Sequence, residues 1–163
     1  MNVQQAELYQ RIQAFSLDDP DADLTFSKRL ARDNDWSAPY TQRVIEEYKK
    51  FTFLAMAAGH PATPSDQVDQ VWHLHLIYTH SYWGEFCPNA LQTPLHRGPT
   101  RGGRSEHNKY NDWYSKTLAS YEQFFGQGPP ADIWPSPQLR FDRDLHFVRV
   151  NTRQNWILPK PSV

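Results

Sequence analysis

The sequence predicts an all-α fold, a compact bundle of about five helices with an irregular, proline-rich C-terminal segment packed on it. Three observations carry that prediction. Apolar residues recur at spacings of three and four through most of the first 125 positions. Proline, glycine and small hydroxyl residues punctuate the chain at the places where helices start and stop. The one segment that alternates like a strand, Leu145 to Val150, has no second strand to pair with.

The elements follow in order. Val3 to Phe15 carries Ala6, Leu8, Ile12 and Phe15 at helical spacing, and the acidic run Leu17 to Asp23, with Pro20 inside it, ends that helix. A short helix from about Thr25 to Asn34 places Phe26 and Leu30 on one side. Ser37 and Pro39 open the next, because a proline in the first turn gives up no hydrogen bond. Its stripe of Val44, Ile45, Tyr48, Phe51, Leu54 and Ala55 runs to Gly59-His60-Pro61, and it reads as the central, most buried helix.

Thr63-Pro64-Ser65-Asp66 predicts a threonine-capped start for a helix running to about Phe86, before Pro88. A loop from Asn89 to Gly103 follows. Ser105 is then expected to cap a long helix bearing Tyr110, Trp113, Tyr114, Thr117, Leu118, Tyr121, Phe124 and Phe125. Gly126 and Pro129-Pro130 end it, so residues 1–130 read as the helical domain. Residues 131–163 read as a wrap of the same domain, pinned by Ile133, Trp134, Phe141 and Trp156.

Composition narrows the function classes. With 17 Lys+Arg against 18 Asp+Glu, the chain lacks the basic surplus of a general nucleic-acid or anionic-membrane binder. A single cysteine, Cys87, builds neither an internal disulfide nor a cysteine-based zinc site, and reads as a small buried hydrophobe. No apolar run approaches the ~20 residues of a membrane span, and the polar amino terminus has no signal-peptide pattern. A cytoplasmic protein is expected. Against this polar average stand 6 Trp, 8 Tyr, 9 Phe and 7 His.

The helix after Pro64 concentrates the chemistry. At about 100° per residue, Val68, Val71, Trp72, His75, Thr79, Tyr82 and Phe86 share one face, which places His75 inside the apolar stripe. Asp66, Asp69, His73 and His80 share a narrower neighbouring stripe. His73 and His75, two residues apart, do not face each other and cannot chelate one ion within a regular helix. Asp69 and His73, one turn apart, can share a metal. His80 lies roughly 10 Å further along the axis and cannot join them. Further ligands would come from His96, His107 or His60.

The segment His96 to Ser105 adds Arg97, Arg101 and Arg104 among glycines, ahead of a helix N-terminus. This combination suits an anion such as phosphate or carboxylate. It lacks the ending of a nucleoside-triphosphate loop. The alternative for these arginines is pairing with the acids of Asp18 to Asp23, or plain solvation.

The string Pro64 to Tyr82, with Asp69, Val71, Trp72, His73, His75 and Tyr82 at the characteristic positions of an acidic residue followed by V-W-H-x-H, resembles the glycine-rich domain-containing protein-like family. Pro94-Leu95-His96 and Gly98-Pro99-Thr100 extend the likeness into the following loop, and the long glycine-rich extension of plant members has no counterpart here. The resemblance implies no activity. It gives weight to Asp69, Trp72, His73 and His75 over His80.

Two functions are therefore expected to compete. One is a divalent transition-metal site (Zn, Fe, Mn or Cu) on Asp69, His73, His96 and His107. The arginines would hold a small anionic ligand beside it, with metal-assisted chemistry possible. The other is a non-enzymatic module that binds another protein, with Trp72 and His75 structural.

Overall fold

A computed structural model describes residues 1–98, 104–141, 150 and 154–158, without the side chains of 104–107. Six α-helices and one π-helix make up the described elements, and no strand occurs among them. The helices are α1 (Val3–Ala14), α2 (Phe26–Asn34), α3 (Ala38–Ala57), α4 (Asp66–Ile77), α5 (Arg104–Phe125) and α6 (Pro137–Phe141), with the π-helix, His80–Leu91, between α4 and α5. The all-α prediction holds.

Local chemistry explains most of the boundaries. Asn2 and Gln5 form a reciprocal capping box on α1. Thr25 and Ser37 cap α2 and α3 through their side-chain oxygens, and Pro39 sits in the first turn of α3 as expected. Gly59 and Gly126 follow α3 and α5 with φ of 72° and 71°, the left-handed region where a residue without Cβ is unstrained.

Three boundaries differ from the prediction. The cap of α4 is Ser65, whose hydroxyl accepts from the Val68 N–H, while the Thr63 N–H donates to Thr117 Oγ1. Ser105 lies inside α5 rather than ahead of it. The long helix expected to end before Pro88 instead breaks at Tyr78, and the chain resumes as a π-helix that contains Pro88 and ends at Leu91. Thr79, placed on the buried stripe by simple periodicity, is exposed because it falls at that break.

α3 is the centre of the molecule, as its sequence indicates. Val44, Tyr48, Phe51, Phe53 and Leu54 are wholly buried, and α1, α2, α4 and α5 all pack on it. The π-helix packs on α1 and α4. The segment after α5 lies on the bundle. Ile133 and Trp134 are buried, Arg43 grips Asp132 through two 2.8 Å hydrogen bonds, and Arg140 reaches Asp66 at 3.0 Å. Trp156 was expected to pin the wrap, but it is 95% exposed. The strand-like residues 145–149 lie outside the described residues.

Candidate functional site

The V-W-H-x-H residues meet where α4 turns into the π-helix. His75 is fully buried, ringed by Tyr82, Phe86, Tyr48, Phe26 and Phe15 at centroid distances of 5.0 to 6.0 Å. Burial pushes its pKa down to about 3, because the imidazolium would lose its hydration in an apolar box. Its Nδ1 lies 2.9 Å from the Tyr48 hydroxyl and its Nε2 3.3 Å from Ser81 Oγ.

Hydrogen-bond accounting assigns the tautomer. The Tyr48 hydroxyl is wholly buried and keeps its proton paired if it donates to Nδ1. The imidazole proton then sits on Nε2 and points at Ser81. In that arrangement His75 cannot take a proton from Ser81, and a pKa near 3 makes it a poor base at neutral pH. The serine and histidine are within reach of each other, and in that tautomer the imidazole proton faces the serine oxygen.

Trp72, in the buried stripe, donates its Nε1–H to the Tyr82 hydroxyl at 2.9 Å, and that hydroxyl donates to the Leu95 carbonyl at 2.5 Å. The motif tryptophan and tyrosine thereby hold α4, the π-helix and the following loop together. Asp69 adds a second tie to that loop. Both of its oxygens accept from Arg97, from Nε at 2.9 Å and Nη2 at 2.6 Å. The side chains are only 22% and 30% exposed, so the fork-on-fork pair is partly shielded from water. The hydrogen bond to Asp69 holds the Arg97 guanidinium charge even more firmly than usual.

The geometry places the expected ligand residues apart from one another among the described residues. Asp69 is held by Arg97, and His73 is exposed. His96 lies against Trp83, ring centroids 5.2 Å apart, and His60 bonds Ser120 Oγ through Nε2 at 2.7 Å. The side chain of His107 lies outside the described residues. Among the described residues, no three of His, Cys, Asp and Glu stand together as a metal-holding group. The anion cradle is altered too. Arg97 is engaged by Asp69, not by the acids of Asp18 to Asp23. Arg101 and the Arg104 side chain lie outside the described residues.

Cys87 is buried, as its sequence context suggests, and burial pushes its thiol up, away from the reactive thiolate. Among the described residues, no helix is long and apolar enough to cross a membrane.

Clefts open on the surface among the described residues. One, about 540 Å³, runs beside the π-helix and includes Leu17, Asp18, Asp19, Leu24, Tyr78 and Glu85 in its walls. Another, about 370 Å³, lies over Glu47 and Lys50. There the Glu47 carboxylate accepts from Lys50 (2.8 Å), Tyr121 (3.2 Å) and Trp134 (2.9 Å). Burial alone would lower the Lys50 pKa, but hydrogen bonds to Glu47 and Tyr121 outweigh it and hold it up to about 12. Glu47 and Lys50 thus pair with each other inside this cleft.

Sequence reasoning allowed a tyrosine hydroxyl as the partner of a buried, neutral His75 without identifying Tyr48, and missed Ser81, Trp83 and the pairing of Arg97 with Asp69. Only the position of Tyr48 on the buried stripe of α3 offered a signal. No family model, curated protein or solved structure matches this chain, so the resemblance rests on the motif itself.

Proposed function

We propose that this chain is a non-catalytic helical interaction module whose contact face is the outer surface of the π-helix and the end of α4. The observation that carries this reading is an outward-facing tryptophan on a braced platform. Trp83 is 40% exposed, yet its ring packs edge-on to Tyr82 at 4.8 Å and against His96 at 5.2 Å. Its exposed face is therefore held in place before any partner arrives, which lowers the ordering cost of binding. Tryptophan in that setting is the residue type that most often anchors a protein contact. Ile77, 54% exposed at the end of α4, adds apolar surface on the same stretch of chain.

The motif residues support this reading from the inside. Trp72, His75 and Tyr82 direct their polar atoms inward, to one another, to Tyr48 and to Leu95. Such a network fixes the platform and leaves no free acid, base or ligand at its centre. A long π-helix is itself rare, and such segments are frequent at functional sites.

The test is site-specific photo-crosslinking in cells. A photoreactive residue replacing Trp83 is expected to give a discrete adduct, and one replacing Ala119, exposed on α5, is expected to give none. Equal labelling from both positions would overturn the reading. So would stoichiometric transition metal in protein purified without a histidine tag, which is what a divalent-metal site on His73 and the arginine loop requires.

A further inference from the structure

Two features of the surface remain unassigned, and they complement each other. Trp156, Ile157 and Leu158 are consecutive and are 95%, 65% and 81% exposed. Three adjacent large apolar side chains in water form the kind of patch that a partner normally covers. The cleft beside the π-helix offers the opposite surface. Leu17, Leu24 and Tyr78 give it apolar walls, and Asp18, Asp19 and Glu85 give it negative charge.

The charges match as well as the surfaces. In sequence the apolar triplet is flanked by Arg153 and Lys160. In the cleft, the Asp18 carboxylate accepts from the uncharged N–H and hydroxyl of Ser27, and no cation is paired with it among the described residues. Glu85 faces His80, whose Nδ1 lies 3.3 Å from its carboxylate, and Arg29, over the Tyr78 ring, is drawn to Asp33.

We propose that the Trp156–Leu158 segment of one copy seats in the cleft beside the π-helix of a second copy. The exchange is reciprocal, so two segments fill two clefts and the pair closes on a two-fold axis. The carboxylates set direction and on-rate, and the apolar triplet sets residence time. This inference rests on the reading of the π-helix surface as a contact face.

Sedimentation velocity on the full chain tests it. The expected result is a concentration-dependent dimer that weakens as salt rises. Trp156→Ser and Glu85→Lys should each weaken the dimer by at least about 30-fold, with the melting of the monomer, read by circular dichroism at low protein concentration, unchanged. Combining Glu85→Lys with Lys160→Glu should restore it to within about 5-fold of the starting chain. A monomer at all concentrations overturns the proposal, whether the cleft then holds the chain's own segment or a foreign basic peptide. A dimer that survives Trp156→Ser, or a charge swap that fails to rescue, overturns it too. If the chain is monomeric while position 83 still crosslinks a partner, the dimer falls and the module reading stands; a dimer with position 83 silent fails the module reading alone.

Discussion

At the scale of the residue, His75 is the clearest example of a side chain whose chemistry is suppressed by its surroundings. An imidazole with a pKa near 3 in the folded state and about 6.5 when unfolded is neutral in the native protein across the physiological range. The sign of the linkage follows. Stability is complete above the unfolded value and falls as pH drops below it, because only the unfolded chain then binds the proton. The slope should approach about 1.4 kcal/mol per pH unit below pH 6. Urea denaturation at pH 7.5, 6.5 and 5.5 reads it before most carboxylates titrate. The slope should vanish in His75→Phe, which itself costs about 1–3 kcal/mol by leaving the buried Tyr48 hydroxyl unpaired. A native-state titration of the His75 imidazole itself near pH 6.5 would contradict this account. Tyr82→Phe should act in another way. It removes the one oxygen that receives Trp72 and reaches Leu95, and orphans both at about 1–3 kcal/mol each, with no pH dependence.

At the scale of the element, the informative feature is the junction of α4, the π-helix and the loop to Arg97. Arg97→Ala should cost about 1–2 kcal/mol, between the values for exposed and buried pairs. It should also speed amide exchange in residues 92–98, whereas His73→Ala should stay within about 0.5 kcal/mol of the parent. A double-mutant cycle of Asp69→Asn with Arg97→Gln checks that the two act as one unit. A coupling near zero would mean the pair is an ornament of the surface. This junction also marks where the sequence stopped being legible. The buried stripe Val68, Val71, Trp72 and His75 follows from a period of 3.6, and the burial of His75 followed with it. The π-helix has no such mark: the break at Tyr78 put Thr79 outside the stripe, while Tyr82 and Phe86 beyond it still reached the core. The partners were less legible still. Tyr48 and His75 are 27 positions apart and Asp69 and Arg97 are 28 apart, and no local pattern encodes such a pairing. The expected Asp69–His73 chelate was sound as spacing. Its carboxylate is engaged by a guanidinium that arrives from a loop whose path no local rule fixes.

At the scale of the whole molecule, the segment after α5 acts as a strap, and its two tryptophans separate stability from surface. Trp134 is buried against Phe51, Tyr114 and Tyr121, and its indole N–H is one of three donors to the buried Glu47 carboxylate. Asp132 and Arg140 anchor the strap on either side, to Arg43 on α3 and to Asp66 at the start of α4. Trp134→Ala therefore removes a large core ring and leaves a buried carboxylate short of a donor. The ring alone predicts a loss of about 3–5 kcal/mol, a large part of the about 5–15 kcal/mol that holds a domain folded. The melting temperature should fall by roughly 10 °C or more. Trp134→Phe keeps most of the packing and isolates the lost donor, at about 1–3 kcal/mol. Trp156→Ser, by contrast, changes a side chain already in water and should leave the melting temperature of the monomer unmoved. Thermal melts of the three variants at low protein concentration decide the matter, since only there is the fold read without any self-association. Equal losses at positions 134 and 156 would mean that both tryptophans lie in one core. A large loss at 134 alone would leave Trp156 available as a contact.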